Sequence, residues 1–105
     1  MTMRFKRASS LIKIEQGLIR SYALDNRLKW EIGRRAEGVR PDIELGSATI
    51  SRRHGRFENI DGFWYYFDYA GKNGTYYRHT HIEKGLNGRV KPRLLSEGDT
   101  FVLEF

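Results

Sequence analysis

The sequence predicts an all-β sandwich or barrel, on three observations. In residues 28–33, LKWEIG, Leu28, Trp30 and Ile32 alternate with Lys29 and Glu31. Strand side chains point to opposite faces in turn, so a period of two marks a strand with one buried face. No window places apolar residues at i, i+3, i+4 and i+7 with caps, the pattern that an amphipathic helix needs. Turn pairs punctuate the chain at Asp61-Gly62, Asn73-Gly74, Asn87-Gly88 and Gly98-Asp99, and short strands with turn signals about every 8 to 12 residues are the mark of a sandwich or barrel.

The elements follow in order. Residues 1–10, MTMRFKRASS, are expected as a basic N-terminal tail, with one domain over 11–105. Alternation at Ile12 and Ile14, and at Tyr22 and Leu24, predicts the first strands, followed by 28–33. The tract RRAEGVRP after Gly33 is loop-like, and Ser51 to His54 lead into a strand, GRFENI. Asp61-Gly62 then predicts a tight hairpin to FWYYF, because both turn positions of that hairpin need positive φ. Residues 71–75 form a loop, 78–93 an extended connection with one or two short strands, and Phe101, Leu103 and Phe105 share a face of the last strand. The apolar residues are largely aromatic or β-branched, which suits a pleated surface.

A chain of 105 residues is one domain by length. It has no cysteine, so disulfide and cysteine-based zinc chemistry are excluded. The longest apolar run, Phe63 to Phe67, is far short of the roughly 20 residues that span a bilayer. The N-terminus lacks the apolar middle of a secretory signal, and the expectation is a cytoplasmic chain, or the cytoplasmic part of something larger, that is monomeric and does not engage a membrane. Nineteen Lys+Arg against thirteen Asp+Glu give a net charge of +6, which favours polyanionic partners. Arg34, Arg35, Arg40, Arg52, Arg53 and Arg56 cluster in one region. Arginine presents a planar fork of donors that matches phosphate oxygens two at a time. In a sandwich, end loops carry function, and three loops, after Gly33, at Ser51 to His54 and at Gly71 to Thr75, each supply donors for a phosphate.

Five motifs in order carry a family resemblance: Gly33-Arg34, Asp42-Ile43-Glu44-Leu45, Ser51-Arg52-Arg53-His54, Asp68 with Asn73-Gly74-Thr75, and Leu95-Ser96-Glu97-Gly98-Asp99. With them the chain resembles the forkhead-associated (FHA) domain, a module that binds phosphothreonine peptides. The resemblance implies a β-sandwich of two twisted, mainly antiparallel sheets, about eleven strands, with binding loops at one apex. It implies that Arg34 pairs with the phosphate and Ser51 donates its hydroxyl to it. Arg52 and Lys72 match positions that add phosphate or peptide contacts, and Asn73 would bond the peptide backbone. Gly33, His54 and Gly74 would support the loops. The implied partner is a threonine-phosphorylated protein, the substrate of a Ser/Thr kinase, bound for signalling without catalysis, cofactor or metal. Gly71 and Lys72 depart from the Ser or Thr common there in the family.

Other readings are weaker. A hydrolase built on Ser51 and His54 needs a third residue and an oxyanion hole, and no Gly-x-Ser-x-Gly elbow is present. His79 and His81 fall at i and i+2 without an obvious third metal ligand. The alternatives kept are a basic β-domain whose tyrosines stack on nucleic acid, and an FHA fold that has lost phosphate binding and acts as a scaffold.

Overall fold

A computed structural model of the chain describes residues 2–6, 10–38, 40–46, 50, 52–69, 75–77, 80–81 and 91–103. In chain order the strands are β1 (Thr2–Lys6), β2 (Ser10–Glu15), β3 (Leu18–Ala23), β4 (Lys29–Arg34), β5 (Ile43–Leu45), β6 (Gly55–Ile60), β7 (Phe63–Asp68), β8 (Thr75–Tyr77), β9 (Thr80–His81), β10 (Arg93–Leu94) and β11 (Thr100–Leu103). They form a six-stranded sheet, β3-β2-β1-β11-β8-β9, and a five-stranded sheet, β10-β7-β6-β4-β5. Every pairing is antiparallel except β4 with β5. The expected all-β sandwich is therefore what the chain forms.

The core lies between the sheets. Met3, Phe5, Leu11 and Tyr22 are buried from one side, and Trp30, Ile32, Ile43, Leu45, Phe57, Trp64 and Tyr66 from the other. A 3-10 turn over Leu24–Asn26 links β3 to β4. It receives both indole N–H groups, Trp30 Nε1 donating to the Leu24 carbonyl at 2.8 Å and Trp64 Nε1 to Asp25 Oδ1 at 3.2 Å. Each tryptophan thus keeps its polar edge bonded while its ring fills apolar space.

Three expectations are corrected. Residues 2–6 are not a tail: β1 sits between β2 and β11 and contributes Met3 and Phe5 to the core. Its alternation of apolar with Arg4 and Lys6 is a strand period that the basic composition masked. The inward face of β2 carries Leu11, not Ile12 and Ile14, because the register pairs Leu11 with Phe5 and Tyr22; a one-residue shift in phase exchanges the faces of a strand. Leu28 precedes β4 and is exposed.

The hairpin at Asp61-Gly62 forms as expected, with both φ values positive at 54° and 87° and Ile60 paired with Phe63. Gln16-Gly17 makes an equivalent turn between β2 and β3, with φ of 52° and 77°. The turns expected at Asn73-Gly74 and Asn87-Gly88 lie outside the described residues. Leu95 to Asp99 close a turn in which the Asp99 carboxylate accepts from the Ser96 N–H at 2.8 Å, while Phe5 donates to the Asp99 carbonyl and accepts from Gly98. That turn seats β1 against the start of β11.

Candidate functional site at the loop end of the five-stranded sheet

Parallel pairing of β4 with β5 brings Gly33 beside Glu44 and Arg34 beside Leu45. Gly33 is buried in β4. Arg34, the last residue of the strand, shares the inward phase of Trp30 and Ile32, and its Nε donates to the Ile50 carbonyl at 3.2 Å. The guanidinium is thereby fixed one residue before Ser51 and two before Arg52. Its terminal amino groups have no acidic partner among the described residues, so the fork remains available to an anion. Arg52 is exposed. Ser51, Lys72, Asn73 and Gly74 lie outside the described residues.

β5 is an edge strand, and its free side is held by side chains of β2. Lys13 Nζ donates to the Glu44 carbonyl at 2.9 Å, and Glu15 accepts from the Gly46 N–H at 2.8 Å. At the start of β5, Asp42 accepts from Arg27 Nη1 at 2.6 Å and from the Glu31 N–H at 2.7 Å. The Asp-Ile-x-Leu motif is thus an anchor with two buried anchoring side chains, Ile43 and Leu45. It delimits the segment that leads to Ser51.

His54 is fully buried. Its N–H donates to the Ile32 carbonyl at 2.8 Å, and its carbonyl accepts from Tyr69 at 3.0 Å. The Thr75 hydroxyl donates to Asp68 Oδ1 at 2.7 Å, so its oxygen accepts from His54 Nε2 at 2.8 Å. The Tyr66 hydroxyl donates to the same Asp68 oxygen at 2.9 Å. This network joins the end of β7 to the start of β8, the two ends of the loop carrying Asn73, and ties both to the segment after Ser51. Hydrogen bonds in a buried network of this kind are stronger than in water, because the local dielectric is low. His54 Nε2 is committed to Thr75 and does not face solvent as a general base would.

Gly55 lets that network close. A Cβ there would stand 2.5 Å from the Tyr66 hydroxyl and 2.8 Å from the Phe67 carbonyl oxygen. Sequence alone singles out neither Gly55 nor the bonding of Thr75, and it offers Tyr66 among the tyrosines for stacking on nucleic acid, whereas Tyr66 is fully buried.

Burial pushes the Tyr66 phenol well above its ordinary value near 10.0, with nearby Asp68 adding to the shift. The folded phenol therefore resists ionisation that the unfolded chain undergoes, and the stability tied to it is present below pH 10 and lost as pH rises beyond it. Tyr66→Phe is expected to cost about 1 kcal/mol at neutral pH through the lost hydrogen bond, yet to flatten the fall in stability above about pH 10. Denaturant unfolding at pH 8 and at high pH measures both; parallel pH profiles for the two proteins would refute the assignment.

The model of the FHA domain family matches residues 30–104. The chain belongs to the FHA domain family. Solved structures share the fold of this FHA domain. The FhaA FHA domain, in complex with the intracellular domain of Rv3910, superposes with a TM-score of 0.70 at 22% identity over 91% of this chain and 92% of that one. EmbR of Mycobacterium tuberculosis, in complex with a low affinity phosphopeptide, gives 0.63 at 20% identity, covering 97% of this chain but 22% of EmbR. The N-terminal FHA domain of S. cerevisiae RAD53P, in complex with a phosphothreonine peptide, gives 0.60 at 21% identity over 94% of this chain and 78% of that one. No curated protein matches the FHA domain described here. Among the described residues no helix is long and apolar enough to cross a membrane.

Proposed function

We propose that this chain is a non-enzymatic phosphopeptide-binding module that recognises phosphothreonine segments of partner proteins and mediates phosphorylation-dependent association. The observation that carries the reading is the placement of Arg34, bonded through Nε to Ile50 immediately before Ser51, with its terminal amino groups open. A phosphothreonine brings a charge of about −1.5 to −2 and three acceptor oxygens. Arg34, Ser51, Arg52 and Lys72 supply donors to it, Asn73 bonds the peptide backbone, and Gly33, His54 and Gly74 hold the loops. The partner is a Ser/Thr kinase substrate, and the module acts as a cytoplasmic monomer in signalling. Membership of the FHA family and the fold shared with domains solved with phosphopeptides support this reading.

An oriented phosphothreonine peptide library, with phosphoserine and unphosphorylated counterparts, tests it. Binding is expected in the micromolar range, about −8 kcal/mol, and only to phosphorylated members. Equal retention of phosphorylated and unphosphorylated peptides would exclude the function.

A further inference from the structure

A second basic cleft of about 380 Å³ opens beside the proposed phosphate site, lined by Glu31, Ile32, Arg40, Pro41, Arg52 and Arg53. Gly38 in the β4 to β5 connection has φ of 73°, and Arg40 and Pro41 line the cleft together with Glu31 and Ile32 of β4. Pro41 borders this cleft on one side and the cavity containing Arg34 on the other. The two hollows are therefore neighbours, separated by that connection.

The charge of the cleft is not balanced from within. Arg40 and Arg52 are exposed and have no acidic partner among the described residues. Glu31 is the acidic residue in the lining, and its carboxylate is already engaged: the Tyr69 hydroxyl donates to its two oxygens at 2.8 and 3.0 Å. Arg53 reaches Glu31 only at 3.9 Å, and its guanidinium lies over the Tyr69 ring, 5.4 Å from the centroid. Tyr69 is itself braced by Arg56, whose Nη1 donates to its hydroxyl at 3.3 Å. A cation resting on a fixed aromatic face loses less conformational freedom when it binds an anion. Three arginines against one engaged carboxylate leave a concave surplus of positive charge, in which Arg53 rests on the Tyr69 ring.

We infer that this cleft binds a second anionic side chain of the ligand, a carboxylate or a second phosphate flanking the phosphothreonine, and so sets the acidic-flank preference of the module. The inference rests on the phosphothreonine reading and adds two residues outside it, Arg40 and Arg53. Arg53 is the second contact, and Arg52 is shared between the two anions.

The test uses the full chain and labelled peptides built around one phosphothreonine, with neutral flanks, with Asp and Glu on either flank, or with a second phosphothreonine, alongside unphosphorylated acidic versions. Acidic or doubly phosphorylated flanks are expected to tighten binding about two- to tenfold over neutral flanks, the scale of one or two partly exposed ion pairs. Arg40→Ala should remove that gain and Arg40→Glu should reverse it, while neutral-flank affinity stays within about twofold. Lys91→Ala removes one positive charge near β10, at the far edge of the same sheet from β5, and should leave the gain intact; the comparison separates the cleft from the general field. The carboxylate and phosphate arms show which anion fits better. No gain from either, or the same gain in Arg40→Ala as in the parent, overturns the inference while phosphate dependence stands. Loss of phosphate dependence for every peptide instead overturns the phosphothreonine reading.

Discussion

Arg34→Ala is expected to weaken phosphothreonine-peptide binding by about 1.5 to 3 kcal/mol, roughly 10- to 150-fold in Kd, the range for a hydrogen bond to a charged group. The reason lies in the double use of the side chain. Nε is spent on the Ile50 carbonyl, which fixes the plane of the guanidinium, and the remaining donors project from that plane. Arg34→Lys keeps the charge but has neither the fork nor the Nε bond, so it should recover only part of the loss. Isothermal titration of both variants with one phosphopeptide measures the series, and thermal unfolding checks the fold. Removing one bond to a backbone carbonyl should cost stability no more than about 1 kcal/mol. Parent-like affinity in Arg34→Ala would remove this residue from the site.

Gly55→Ala is expected to be strongly destabilising. The new Cβ meets the Tyr66 hydroxyl and the backbone oxygen of Phe67, both well inside normal contact. Tyr66 is fully buried and bonded to Asp68, and the Phe67 carbonyl belongs to the strand paired with β6, so neither can move alone. Overpacking of this kind costs about 3 kcal/mol or somewhat more, which for a domain of this size lowers Tm by about 10 to 20 °C. Gly46→Ala supplies the control, because a Cβ there meets only Glu15 carboxylate atoms at 3.8 to 3.9 Å. Matching melting curves for the two variants would show that β6 and β7 tolerate separation. Where β6 and β7 shift, His54, Asp68 and Thr75 shift with them, so the phosphopeptide affinity of Gly55→Ala should fall even well below its melting temperature.

Much of this was legible in the sequence, and the parts that were not have physical causes. The fold class, the Asp61-Gly62 hairpin and the strands around Trp30, Phe57 and Trp64 follow from period and turn chemistry, which act locally. β1 is hidden in the sequence because the basic Arg4 and Lys6 interrupt its apolar residues, so composition suggests a tail where the period indicates a strand. The phase of β2 was misjudged for a different reason: Ile12 and Ile14 are as apolar as Leu11, and only pairing with β1 and β3 selects the inward face. At the site, Arg34 and His54 were named from motif order. Gly55 and Tyr66 were not, since their importance is a distance between two strands that no spacing along the chain encodes. Lys13 and Glu15 act on β5 from the opposite sheet, and in the sequence they read as ordinary surface charges.

The place of β1 between β2 and β11 has a kinetic side. Thr2 pairs with both Ile14 and Val102, so one edge of this strand is closed by a near neighbour and the other by a residue close to the opposite end of the chain. The β1 to β2 ribbon and the β6 to β7 hairpin can assemble locally. The β1 to β11 ladder must close a loop of about a hundred residues, from Thr2 to Val102, at an entropic cost that grows with the logarithm of its length. Contacts that non-local slow folding. The six-stranded sheet is then the half of the molecule completed last, and during synthesis it must wait for Thr100 to Leu103 to emerge.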